Sequence, residues 1–414
     1  MMMIILAWKN IWRNKKRSLI ILAATAIGLT AGLFTIGMMS GMYDSIVQSA
    51  INRELGNLQI HTAEYKQDQL FRQYISHPDS LVRLIRLHPD VKVVATHTLI
   101  EGMASSATTA AGVMIFGITP TVERQATAIA QCLIEGTYFD VQTRTKSIVI
   151  GKKLAEKLNL KLHSRIVLSF SGLDGNIVYA AFRIGGIYRT DFTMFDQTNV
   201  FVKQEDISEL LTVAAPVHEI IIRTNDSKIL EQTKTELQKM FHTNAGAARA
   251  NILLETWKEI APEIKYTADA SDTVNAIFLG IILFALLFGL TNTLLMSVLD
   301  RVRDFGVLLA VGMYRRRLFL MIILESLFLS FTGGIIGVIA GWSATEYFNV
   351  HGIDLSIVSK GLSAYGIPTM LYPFLPPSVY GTLAVMVIAT SIIAALYPAI
   401  KAVRLKPVEA IRTL

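Results

Sequence analysis

Residues 18–43, between Arg17 and Asp44, contain no charged side chain. This run of about 26 residues exceeds the roughly 20 that an α-helix needs to cross a bilayer core. A second uncharged run lies between Asp272 and Asp300, a third from Leu318 to Thr345 broken only by Glu325, and a fourth from about Ser378 to Ile400. Backbone polar groups in hydrocarbon must pair within their own segment, so runs of this length are expected to be helices. The expected spans are residues 18–43, 272–299, 318–345 and 378–400. A cleavable signal peptide competes for the first run, because basic residues precede it and Ala24-Thr25-Ala26 resembles a cleavage site. The apolar stretch continues well past the roughly 7 to 15 residues of a signal core, which favours an anchor. With 52% apolar and only 17% charged residues, against about 25% charged in soluble domains, an ordinary soluble enzyme is disfavoured.

Basic residues sort to one side of these spans. Lys9, Arg13, Lys15, Lys16 and Arg17 precede the first. Arg301, Arg303, Arg315, Arg316 and Arg317 lie between the second and third, and Lys401, Arg404, Lys406 and Arg412 follow the fourth. Only Asp300, Asp304 and Glu409 oppose them, so these pieces hold more positive charge than the net +7 of the chain, and the remainder is acidic. Excess cations in short loops mark the cytoplasmic side. Both termini (residues 1–17 and 401–414) and the loop 300–317 are therefore expected inside, with residues 44–271 and the loop 346–377 outside. A topological origin of the charge removes the main support for a nucleic-acid role. Trp8 and Trp12 on the inner side, and Tyr43, Trp257, Tyr266, Trp342 and Tyr347 on the outer, fit as interface anchors.

Residues 3–17 alternate apolar and basic positions with a helical period, as in an amphipathic helix lying among headgroups. The expected fold class is an integral membrane protein of four transmembrane helices, with a large mixed α+β extracytoplasmic domain between the first and second spans. In that domain LGNLQIHTAEY, Val91 to Ile100, Met114 to Ile118, SIVIG, RIVLSF, NIVYAAFRIGGIY, TNVFV and HEIIIRT read as strands. SLVRLIRLH, KKLAEKLNL, QEDISELL and SKILEQTKTELQKMFH read as helices. Gly172-Leu173-Asp174-Gly175-Asn176 is a hairpin turn signal. After Thr256 the chain carries little turn chemistry, suggesting a helical stalk into the second span.

The loop DRVRDFGVLLAVGMYRRR is too short for a domain, yet it sets Phe305, Val307, Leu308, Leu309 and Val311 between charged ends. A soluble partner could hold such an apolar patch; the alternative is a segment lying on lipid or extending the helices. Gly28 and Gly32, Gly37 and Gly41, and Gly333, Gly337 and Gly341 recur at four-residue spacing, which gives helix faces that pack closely. Glu325, about two turns inside the third span, is costly as an ion in hydrocarbon and calls for a partner, water or an arginine of the loop. A structural partner is favoured over a transport role.

Catalytic signatures are missing from the sequence. Gly151-Lys152-Lys153 lacks the other residues of a phosphate-binding loop, the eight histidines show no metal-ligand spacing, and there is no GxSxG. Cys132, the only cysteine, excludes an intrachain disulfide and reads as a small core residue. The chain is therefore expected to be non-catalytic, with no metal or cofactor of its own.

LAWKNIWRNKKRSL, DRVRDFGVLLAVGMYRRRLFLMIILES, GGIIGVIAGW and YPAIKAVRLKPVEAIRTL together resemble the FtsX-like permease superfamily of ABC transporters, the MacB or type VII group, over essentially the whole chain. Asp300 and Asp304 stand where that family usually has glutamate, which keeps the charge. NLQIHTAEY, IVIGKKLAEKLNLKLHSRIVL and FRIGGIYRT are most similar to the lipoprotein-releasing permeases within it. The resemblance implies a dimer of permeases in the bacterial inner membrane, with two cytoplasmic ATPase subunits that hold ATP and Mg. It implies mechanotransmission through the loop, with Arg303, Asp304, Phe305, Gly306, Leu308 and Gly312 as coupling residues. A lipoprotein would enter between the first and second spans of the two protomers, in a region including Met38, Met42, Phe278, Ile282 and Leu286, and leave into the outer domain for a soluble carrier. A drug or peptide exporter, a regulator of cell-wall hydrolases and a membrane-anchored sensor remain as alternatives.

Overall fold

A computed structural model describes residues 15–139, 146–226, 229–243 and 252–404 of the chain. Most of the expected amphipathic helix 3–17 and of the tail 401–414 lies outside the described residues. The chain divides into two compact units. One comprises residues up to Asp44, Ala268–Asp354 and the chain from Met370; the other comprises Ser45–Thr267 and Leu355–Thr369.

The first unit is built on four long apolar helices: Lys15–Ala50, Pro262–Asp300, Arg315–His351 and Pro377–Val403. Each is long and apolar enough to cross a membrane. They overrun the uncharged runs because helix-compatible residues continue past them. The first passes into a π-helical turn, Ile51–Leu55, and stops at Gly56, whose φ of 63° suits glycine. Glycine rows set the packing. A Cβ on Gly28 or Gly32 would come within 3.0 or 2.8 Å of Leu286 or Ile282 on the second helix. On Gly333, Gly337 and Gly341 it would meet Thr25, Ala26 and Leu33 of the first. These stripes therefore serve contacts within one chain. Leu29, Leu33, Ile36, Leu279, Leu283 and Leu383 close the middle of the bundle. The third helix reaches His351, so the expected loop 346–377 begins later; Ile353–Asp354 pairs antiparallel with Met370–Leu371.

The second unit carries a ten-stranded mixed sheet: β1 (Leu58–Thr62), β2 (Val91–Ser105), β3 (Ala110–Ile118), β4 (Leu133–Gly136), β5 (Ser147–Gly151), β6 (Arg165–Ser171), β7 (Ile177–Tyr188), β8 (Asn199–Lys203), β9 (Glu219–Thr224) and β10 (Ile252–Thr256). Their order is β10-β1-β9-β2-β3-β8-β5-β7-β4, with β6 bridging β2 and β7. Alternation explains the layers: in β6 Ile166, Leu168 and Phe170 are buried, while Arg165 and Ser171 at its ends are exposed. The strands β5 and β8, and Leu154, Leu158 and Ile207 from the helices that follow them, fill the main core. The hairpin between β6 and β7 turns where expected, with Gly172 N–H donating to Asn176 O and Gly175 at φ 83°.

Strands β4 and β10 were not expected, nor were the short helices Ala63–Asp68, Pro120–Ala126 and Thr193–Thr198; all are six residues or fewer except Pro120–Ala126, which has seven. Trp257 is no interface anchor. It is 8% exposed, follows β10 directly and begins a helical turn whose capping box joins Thr256 and Glu259. Residues 355–369 belong to this unit: Thr193 N–H donates to Ser363 O, and the two hydroxyls lie 3.1 Å apart.

Candidate functional site

The loop between the second and third long helices is itself helical from Val302 to Ala310. Its periodicity decides which side faces in. Phe305 is 1% exposed and packs among Leu294, Val298, Leu318, Met321 and Ala399, with Leu308 and Leu309 beside it. Burying such a ring contributes roughly 1.5–3 kcal/mol. The expected apolar patch is thus corrected: Phe305 and Gly306 are buried and Leu308 half-buried, while Arg303, Asp304, Val307, Val311 and Tyr314 are exposed. Within this loop Val311, at 84% exposure, is the most exposed large apolar side chain. Gly312 ends the helix: Met313 N–H donates to Leu308 O and Gly312 N–H to Leu309 O, with φ 100° at Gly312 and open space where a Cβ would be. This is a Schellman closure, so glycine is required there for its backbone rather than for room.

Beneath this helix lies a buried ion pair. Arg301, the single residue between the second long helix and the loop helix, reaches Glu325 on the third, its Nη1 donating to both carboxylate oxygens at 3.1 and 3.0 Å. Both residues are under 10% exposed. The guanidinium also lies 5.0 Å from the centroid of the Phe305 ring, and its Nε is buried without a hydrogen-bond acceptor. Sequence reasoning allowed Glu325 a loop arginine but had no means of choosing Arg301, because 24 residues separate the two.

Between the first and second long helices runs a groove of about 610 Å³ lined by Ile21, Gly28, Gly32, Phe278, Ile282 and Leu286 among others. Small residues, Ala24, Gly28, Ala31 and Gly32, make up much of its first-helix wall. Phe278, Ile282 and Leu286 were expected there. Met38 and Met42 are not among its lining residues, and are half-buried elsewhere on the first helix.

The sheet unit holds a buried polar centre that the sequence did not reveal. His97 of β2, 1% exposed, lies between Glu123 Oε2 at 2.7 Å and Glu219 Oε1 at 3.1 Å, and Thr127 Oγ1 donates to Glu123 Oε1. Burial alone would lower the imidazole, but the Glu123 and Glu219 carboxylates outweigh it and raise it to about 10. His97 is therefore an imidazolium at neutral pH. His88, Asp90 and Glu236 also converge closely enough to hold a metal ion. Yet His88 Nδ1 lies 3.3 Å from the Asp90 backbone nitrogen, and its Nε2 lies 3.0 Å from Glu236 Oε2, so both ring nitrogens already have protein partners. That bonding satisfies the ring without a metal. Nearby in sequence to the first helix, Arg53 stacks over Phe192 and Phe195 and pairs with Glu54, while Arg223 donates to Ile51 O and Asn52 Oδ1. The π-helical turn is thus held from both sides. Cys132 is half-buried, and burial raises its thiol, so it is a packing residue.

Residues 18–240 match the family described as MacB-like periplasmic core domain, and residues 276–407 the family described as FtsX-like permease C-terminal. The chain is 24% identical to an uncharacterized ABC transporter permease of Bacillus subtilis, YvrN, over 98% of each chain. It is 23% identical to the lipoprotein-releasing system transmembrane protein LolC of Xylella fastidiosa, over 94% of this chain and 91% of that one. Over 30% of its length it is 32% identical to the macrolide export ATP-binding/permease protein MacB of Chlorobium luteolum, covering 16% of that protein.

Proposed function

The chain belongs to the FtsX-like ABC transporter permeases with a MacB-like periplasmic core domain, and from that premise we propose that it extracts lipid-anchored proteins from the membrane by mechanotransmission. As an ABC permease it is a multi-pass membrane subunit working with an ATPase. In this reading two permease protomers and two ATPase subunits assemble, the ATPases hold ATP and Mg, and both termini and the loop helix face the cytoplasm. The exposed face of the loop helix, Arg303, Asp304, Val307 and Val311, meets the ATPase, while buried Phe305 anchors the helix to the bundle. The cargo's acyl chains occupy the groove between the first and second long helices, and its protein part passes to the sheet domain and a soluble carrier.

The observation that carries this reading is the groove itself: a predominantly apolar trough lined by Gly28, Gly32 and Gly289, large enough for a hydrocarbon chain, whose polar lining is confined to the hydroxyls of Thr25, Thr35 and Thr293. LolC relatives over nearly the whole chain support the cargo class. The MacB relative, more identical over a shorter stretch, favours a second reading, an exporter of drugs or peptides. Depletion of the protein in its host, followed by fractionation of membranes, separates them. Lipoproteins retained in the inner membrane support extraction; normal lipoprotein distribution with raised drug or peptide sensitivity supports export.

A further inference from the structure

A buried ion pair seldom stabilises a protein more than well-packed apolar groups would, because stripping water from two charges offsets most of their attraction. Arg301 and Glu325 therefore need a reason beyond stability, and their placement supplies one. Arg301 occupies the one-residue joint between Asp300 and Val302, with φ −111° and ψ 17° outside the helical range. A joint of one non-helical residue is free to swivel unless its side chain is held. Here the side chain is held two ways, by both oxygens of Glu325 and by the Phe305 ring, while the Arg301 carbonyl accepts the first backbone hydrogen bond of the loop helix from Phe305 N–H. Phe305 in turn packs on Leu318, Met321 and Ile322 of the third helix, the element that carries Glu325. Two kinds of contact thus tie the loop helix to the same partner. Packing resists separation but lets surfaces slide, whereas the charge-assisted hydrogen bonds from Arg301 Nη1 to the Glu325 carboxylate are directional and pin the joint to one point on the third helix.

We propose that Arg301 and Glu325 are positioning residues that lock the loop helix to the third long helix, so that a push on the loop helix moves the two as one body. This deepens the reading of the chain as an ATPase-coupled permease and rests on it for its purpose. The rigidity itself is a property of the chain alone. Unbalanced removal of one charge risks misfolding, so the informative variant replaces both, R301M/E325M, which keeps volume and removes the directional grip.

The test uses full-length protein in lipid nanodiscs, with Cys132→Ser and spin labels at Ala310 and Ile336, both exposed, on the loop helix and the third helix. Electron–electron distances are recorded without and with the ATPase, and with and without a non-hydrolysable nucleotide. In the parent protein the distribution should be narrow and unchanged by nucleotide. In R301M/E325M, with unchanged thermal stability and the ATPase still bound, it should widen and become nucleotide-dependent. The charge-swapped R301E/E325R variant should restore part of the narrowing. A double variant as narrow as the parent in every state overturns the proposal. If no ATPase binds the parent protein, the functional reading fails, while the width measured without ATPase still decides whether the pair locks the helix.

Discussion

Replacement of His97 by glutamine tests whether the sheet domain is held at its centre by an imidazolium. The side chain is 1% exposed and its partner Glu123 equally so. H97Q leaves two carboxylates facing a neutral amide. Removing one member of a buried charge pair costs about 3–5 kcal/mol, which for a domain of this size lowers the melting temperature by roughly 6–20 °C. The pH dependence fixes the cause. The folded imidazole is raised from 6.5 to about 10, so its contribution is fully present below the unfolded value near 6.5 and is lost as pH rises through about 10. The stability gap between parent and H97Q should therefore be wide at pH 6, shrink through pH 8 and 9, and largely close above pH 10. Hydrogen exchange of β2 and β9 amides in the full-length protein, measured across that range, reports the gap at the strands concerned. A gap that stays constant from pH 6 to pH 10.5 would refute the charged-histidine reasoning and leave shape alone as the role of the residue.

Val311→Asp should leave the bundle folded and abolish ATPase co-purification, whereas Phe305→Ala should cost about 3–5 kcal/mol locally, read as faster proteolysis of the loop. Gly337→Val should lower the yield of folded protein in mild detergent, because its Cβ alone would lie 2.8 Å from Ala26 O, and overpacking of this kind costs about 1–3 kcal/mol. Gly289→Leu, which fills the groove from a position with open space around it, should reduce cross-linking of a photoactivatable acyl chain to Phe278 while leaving ATPase binding intact. Burial raises the Asp196 carboxyl from 3.8 to about 6 despite hydrogen bonds from Thr190. Parent stability should fall as pH rises from about 4 to 6, and Asp196→Asn should remove that slope, as seen in melting curves.

What the sequence disclosed, and what it withheld, follows from the range of the forces involved. The four spans and strands such as β5, β6 and β7 are written in local periodicity, so they were legible residue by residue. β4 and β10 are short strands at the two ends of the sheet order, defined by the neighbours they pair with rather than by their own pattern. The loop helix was visible as an apolar stretch, but its phase was not: turning Phe305 inward and Val311 outward depends on Leu294, Leu318 and Ala399, which come from three other helices. The pairing of Arg301 with Glu325, and the meeting of His97 with Glu123 and Glu219, join residues whose separations carry no signature. Phe278, Ile282 and Leu286 lie on the groove because they follow a helical repeat opposite glycines, while Met38 and Met42 belong to another part of the first helix.

The inserted domain begins and ends on neighbouring strands. β1 and β10 are antiparallel, Leu58 opposite Thr256 through Thr62 opposite Ile252, so the chain enters and leaves at the same end of a five-rung ladder. Tension that drew the two connecting segments apart would load those rungs one after another, as in unzipping, instead of sharing the load among them as in shear. The first rung is reinforced for this: Trp257 N–H donates to Asn57 O just outside the ladder, and Glu259 both caps the Thr256 turn and pairs with Lys234. The domain thus opens under traction first at its root, which makes that seam a mechanical fuse whose opening force a single-molecule pulling experiment could read.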